Sequence, residues 1–255
     1  MNIVLYDGSY DGLLTAIFEI YEYKITDVSI HISGKAPASL FGSVHEVNTL
    51  KEKAERVHNK IKEKVSMNSL IQLYKTFLSE QHGIENVLLR YMQYVLRSKG
   101  MVDHDYGNAD VLLVQQMSRK VDREKHRMKA FIRFQLTKDG LYYAMIQPDY
   151  NVLPLISKHF EERYADQRWL IYDAQRKYGL YYDMQTVEEV QMNFTVALGN
   201  AETLRSIFDE KEELYQKLWQ QYFSSVNIAA RKNMKLHIQH MPKRYWRHLV
   251  EKQSY

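Results

Sequence analysis

The chain contains no cysteine. This excludes disulfides, thiolate zinc sites, a cysteine nucleophile and thiolate ligation of an iron–sulfur cluster by this chain, so any cluster chemistry must come from a partner. Proline and glycine are scarce, four and ten among 255 residues. No tract is of low complexity and none repeats at a fixed period, which argues against long disordered linkers and solenoids. No stretch approaches the roughly 18 consecutive apolar residues of a membrane span. Met1 to Gly12 has no basic region ahead of an apolar stretch, so neither export nor a membrane partner is supported and a cytoplasmic protein is expected. What the chain does have is a hydrophobic content of 45%, enough for a core in one large domain or two small ones. It also has twenty tyrosines, whose amphipathic rings suit half-buried strands and binding surfaces alike.

Acidic residues are missing from one place in particular. Val226 to Val250 carries six Lys/Arg and three His with no Asp or Glu, closing on Met241-Pro-Lys-Arg-Tyr-Trp-Arg-His-Leu249. A second tract, Arg119 to Arg133, sets seven bases against two acids. The whole chain is only +4, so the rest of it is net acidic and the positive charge is concentrated. Solvated helices usually interleave both signs, and an unbalanced run with aromatics inside it suits an anionic, stackable partner, nucleic acid first of all. The candidate phosphate contacts are Arg119, Arg123, Lys125, Arg127, Lys129 and Arg133 in one tract and Arg231, Lys232, Lys235, Lys243, Arg244 and Arg247 in the other. Tyr245 and Trp246 either stack on bases or anchor the tail to the core. The competing reading is an ordered basic C-terminal segment with buried aromatics.

Asn2 to Tyr6 and Val28 to Ile32 are β-like runs flanking a helical pattern over Leu13 to Tyr23, the start of an α/β unit. Helices are expected over Lys51 to Lys64, Ser69 to Ser79 and Ile84 to Arg97, and from Asn108 or Asp110 to about Lys129. On the last of these, Val114, Met117, Val121 and Met128 share one side, and Arg119, Arg123 and Arg127 recur on roughly the opposite one, so the basic stripe is expected to be exposed. Ala130 to Thr137, the turn Lys138-Asp139-Gly140 and Leu141 to Gln147 read as a hairpin. Asn151 is placed as the cap of a helix running to Tyr164, strands follow over Trp169 to Asp173 and Gly179 to Asp183, and Asn200 opens a helix to about Phe223. The fold class is α+β: an α/β-like N-terminal unit, a helical middle and a helix-packed antiparallel sheet in the C-terminal half. The domains are set at 1–80 and 81–255, or as one continuous domain.

Catalytic motifs are weak. Tyr6-Asp-Gly-Ser-Tyr-Asp-Gly12 joins a strand to a helix but lacks phosphate-loop spacing, and reads foremost as a tight turn with a cap. Asp103 to Asn108 misses calcium-loop spacing, and His237 and His240 lack the Glu of a zinc hydrolase helix. No metal and no cofactor are expected. His126, His159 and Asp166 are the least implausible acid–base groups.

Three segments carry a resemblance: Glu124-Lys-His-Arg-Met-Lys-Ala-Phe-Ile-Arg-Phe134; Pro148-Asp-Tyr-Asn-Val-Leu-Pro154 running on through Arg163-Tyr-Ala-Asp-Gln-Arg-Trp-Leu-Ile-Tyr-Asp173; and Met241-Pro-Lys-Arg-Tyr-Trp246. Together with Tyr6 to Gly12 they make the chain similar to the bacterial family of probable DNA metabolism proteins. The resemblance implies a radical-SAM DNA modification or repair protein as partner, since such genes typically sit beside one another, and some relatives carry a fused uracil-DNA-glycosylase-like domain. This chain has neither the Gly-Gln-Asp-Pro-Tyr motif nor the His-Pro-Ser loop of those glycosylases. The expected function is a DNA-binding accessory protein in repair or base modification. The alternatives are an enzyme acting on damaged or modified nucleic acid, and a scaffold for the radical-SAM partner without direct DNA contact.

Overall fold

The computed structural model describes residues 2–35, 43–191, 234–249 and 252. The chain divides into two compact units, Met1–Asp122 and Arg123–Tyr255.

The first unit begins β1 (Asn2–Tyr6), α1 (Tyr10–Glu22), β2 (Val28–Ile32), β3 (Val44–Glu46). The three strands are all parallel, in the order β2-β1-β3. The turn after β1 is built as its residues imply: the Ser9 hydroxyl accepts from the Gly12 amide and caps α1, and Asp7 accepts from the Ser9 amide, the Ser9 hydroxyl and Thr49. Burial works against the Asp7 charge, but those bonds hold its carboxyl below the usual range. Gly12 leaves room for this network, because a Cβ there would lie 2.2 Å from Asp7 Oδ1 and force the hydrogen-bonded carboxylate to shift. The turn and cap therefore account for this motif. Helices α2 (Lys51–Lys62), α3 (Met67–Phe77), α4 (Ile84–Arg97) and the start of α5 (Ala109–Phe131) complete the unit. Ser66 caps α3, and Asn108 caps α5 by accepting from the amides of Asp110 and Val111. The core is aliphatic, with Val4, Leu13, Ala16, Ile17, Ile30, Leu73 and Leu88 almost fully buried.

The second unit holds the rest of α5, then β4 (Gln135–Leu136), β5 (Tyr142–Ile146), α6 (Leu153–Arg163), β6 (Trp169–Asp173), β7 (Tyr178–Tyr182), β8 (Val187–Gln191), α7 (Met234–His240) and a 3-10 helix at Lys243–His248. The chain is α+β, with the expected sheet in the C-terminal half. That sheet is mixed rather than antiparallel: in the order β4-β5-β6-β7-β8, β5 and β6 run parallel, because α6 carries the chain back between them. β6 is buried at all five positions, as a central strand with a parallel neighbour should be. The hairpin after α5 is shorter than its pattern suggests. Ala130 and Phe131 continue the helix, and only Gln135 and Leu136 pair with β5. Asn151 does not cap α6, which begins after Val152 with Pro154 in its first turn. Its amide oxygen accepts instead from the Tyr178 hydroxyl at 2.5 Å. β8 and β3 escaped the sequence reading, and the helix expected from Asn200 lies outside the described residues. Phe134, Phe160, Tyr164, Trp169 and Tyr182 form an aromatic cluster between α6 and the sheet.

Candidate nucleic-acid interface

The second half of α5 presents two faces. Val121, Glu124 and Met128 are buried, while Arg123 and His126 are exposed and Lys129 is half-buried. Glu124 is the anomaly, because it occupies an apolar-face position three residues after Val121 and four before Met128. A carboxylate there must be paired or it costs several kcal/mol, roughly 3–5 by analogy with broken buried pairs.

Its partners come from far along the chain. The Tyr245 hydroxyl donates to Glu124 Oε1 and Oε2 at 2.6 and 2.5 Å, across 121 residues. Arg244 Nη2 lies 3.2 Å from Oε2, Arg127 lies 3.6 Å away, and the Asp149 amide donates to Oε1 at 2.9 Å. Arg244 also reaches the Asp149 carboxylate at 2.7 Å. Burial, then the nearby Glu124 charge, pushes the Asp149 carboxyl above its ordinary range, and Arg244 opposes that shift. Beneath the same loop, the fully buried Asp173 binds Arg176, whose guanidinium also donates to the carbonyls of Pro148 and Asp149. Three guanidiniums and three carboxylates thus interlock around Pro148–Asn151. Tyr150 lies within the fields of both Arg123 and Arg244, so residues of the two basic tracts meet at this loop.

Within the second unit the tracts are therefore neighbours, but their members have different duties. Tyr245 is 2% exposed and packs on Phe131 at 5.6 Å. It anchors the tail and presents no face for stacking, and burial raises its hydroxyl pKa. Arg127 and Arg244 are committed to Glu124 and Asp149. Arg133 donates to the carbonyls of Ala130 and Ile132, closing the C-terminus of α5. Arg127, Arg133 and Arg244, read from the sequence as phosphate contacts, are engaged in structural contacts, and Tyr245 takes the anchoring one of the two roles the sequence offered it. Arg123, Lys129 and Lys243 make no ion pair with a described residue. Lys125 is half-buried, and the exposed Arg247 bonds to Gln147 and His248. Arg119 is exposed in the first unit. Arg231, Lys232 and the side chain of Lys235 lie outside the described residues. Trp246 remains the stacking candidate: its Nε1 donates to the Met241 carbonyl at 3.0 Å, and the ammonium groups of Lys243 and Lys252 lie 5.9 and 5.2 Å from its ring.

The acid–base candidates do not assemble. No hydrogen bond or ion pair among the described residues joins any two of His126, His159 and Asp166. His159 is held below its ordinary pKa by burial and by the Lys129 and Arg163 charges. No group of three or more His, Asp or Glu among the described residues is placed to hold a metal, and no described helix is long and apolar enough to cross a membrane. Sequence reasoning missed Glu124, Asp149 and Arg176. For Glu124 a signal existed, an acid in step with Val121 and Met128. For Asp149 and Arg176 there was none, since their roles depend on the parallel placement of β5 and β6.

The second unit is thus an α+β body that fixes a basic tail beside a basic helix. The family model described as a domain of unknown function, DUF4130, matches residues 82–251, more than half of the chain, and the chain belongs to that family. No curated protein matches it.

Proposed function

We propose that this chain binds nucleic acid through the face on which its two basic tracts adjoin, as an accessory protein in DNA repair or base modification acting with a radical-SAM partner. One observation supports the binding: Glu124 ties the C-terminal 3-10 helix to α5, and the bases without an ion pair among the described residues, Arg123, Lys129 and Lys243, come from both tied elements. Phosphate neutralisation there gives sequence-tolerant, salt-dependent affinity. Trp246, already flanked by two ammonium groups, adds base stacking worth about 1–3 kcal/mol. The repair context and the radical-SAM partner rest on the family resemblance alone.

The test is fluorescence anisotropy of labelled single- and double-stranded oligonucleotides across a salt series. Arg123→Glu and Lys243→Glu are each expected to weaken binding and to lower the salt slope by about 1. Absence of binding to both forms of DNA at low salt overturns the proposal. Arg244→Glu is unsuitable as a probe, because it places a third acid against Glu124 and Asp149.

A further inference from the structure

A cleft of about 340 Å³ opens in the first unit between the start of β2 and α4, lined by Ile25, Asp27, Val28, Leu89, Gln93 and Arg97 among others. On α4 the lining positions Asn86, Leu89, Arg90, Gln93 and Arg97 recur at helical spacing, so one face of that helix forms a whole wall.

The opposite wall is the free edge of β2. The Asn2 amide donates to the Asp27 carbonyl, and Asn2 stands opposite Val28 in the parallel register. The N–H and C=O of Val28, like those of Ile30, therefore point away from β1. Ile30 has both groups satisfied by the Asn86 carboxamide, which accepts from its N–H at 2.9 Å and donates to its C=O at 3.4 Å. Val28 has no such partner among the described residues. A buried or half-buried donor–acceptor pair on a strand edge is an unused recognition element.

The side chains around it differ in kind. Ile25 and Leu89 supply apolar surface, and Gln93 a carboxamide. Arg90 is engaged in a bidentate pair with Asp110. Arg97 is exposed and makes no ion pair with a described residue. Asp27 brings a carboxylate to the same wall.

We propose that this cleft binds a nucleoside monophosphate. The Val28 N–H and C=O read the hydrogen-bonding edge of the base, which lies against Leu89 and Ile25. Arg97 meets the phosphate. The volume is at the lower end of the roughly 300–1,000 Å³ typical of ligand sites, which suits one nucleotide. The site lies at the amino end of β2, away from the carboxyl ends where open parallel sheets usually hold their ligands, and it is independent of the nucleic-acid face of the second unit.

Isothermal titration calorimetry of the full chain with AMP, GMP, CMP and UMP, with the matching nucleoside and with sodium phosphate tests it. At least one monophosphate is expected to bind with Kd below about 1 mM. Its nucleoside should bind at least about tenfold more weakly, and phosphate alone should give no heat above dilution. Arg97→Glu, on an exposed side chain, should weaken the nucleotide by about tenfold or more, and Gln93→Trp, which fills the cleft from a half-exposed position, should abolish binding. Failure of all four monophosphates to bind, equal binding by phosphate alone, or affinities unchanged in both variants overturns the proposal.

Discussion

Among the described residues two carboxylates are buried in helices, and they are served in opposite ways. Glu19 in α1 is 7% exposed and receives His45 and Lys53, each at 2.7–2.8 Å, from elements that follow within 34 residues. Glu124 in α5 is 1% exposed and receives its main donor across 121 residues. The first ties α1 to the β3–α2 segment next to it. The second holds a segment that is cationic. Of the described tail, Tyr245 and Leu249 are the buried hydrophobics. The tail is thus positioned by one buried charge and two apolar anchors.

The largest effect is expected at Glu124. Glu124→Ala leaves the buried Tyr245 hydroxyl without its acceptor and takes away one of the two carboxylates that hold Arg244, and should cost on the order of 3 kcal/mol in urea unfolding. Tyr245→Phe keeps the ring and removes only the donor, so it should cost less, about 1–2 kcal/mol. Glu19→Ala should fall at or below that, roughly 1–2 kcal/mol, because its partners Lys53 and His45 can turn to solvent. Equal losses at Glu19 and Glu124 would mean that the long-range tie has no special weight.

Acid separates the two regions further. Burial, and then the Arg247 charge, depresses His248 from about 6.5 to about 4. Between those values the unfolded chain takes up a proton that the folded chain refuses, so this contribution to stability falls as pH drops from about 6.5 to about 4. Glu19 behaves differently. Burial would raise its carboxyl, but the bonds from Lys53 and His45 outweigh it and hold the pKa low, so its stabilisation persists above about 4.5 and is lost only below that. Stability measured at pH 7 and pH 5 should therefore drop less in His248→Gln than in the unaltered chain, while Glu19→Ala should show the unaltered drop.

Much of this architecture was legible in the residues. β1 and β2 follow from two short apolar runs, and α4 and the cap of α5 from helical spacing and Asn108. The basic face of α5 was visible because Val114, Met117, Val121 and Met128 define its opposite. What was not legible depended on pairing at a distance. The parallel register of β5 and β6 leaves no local mark, and it is that register which sets Asp173, at the end of β6, beside the Pro148–Asn151 loop that follows β5, with Arg176 bridging the two. Tyr245 and Trp246 read equally as stacking or anchoring aromatics until Glu124 is seen to need a donor. The cleft beside Val28 was invisible for a similar reason: its recognition groups are backbone atoms, and no side-chain pattern announces them.

Whether Glu124 joins the two tracts into one binding face is decided by the DNA affinity of Glu124→Ala, measured at fixed salt and at a temperature where circular dichroism shows the variant folded. The substitution removes a buried negative charge from beneath a cationic surface, so electrostatics alone would tighten binding. Release of the tail from α5 predicts the opposite, weaker binding, with Tyr245→Phe intermediate. Affinity equal to or tighter than that of the unaltered chain would contradict the role assigned to Glu124.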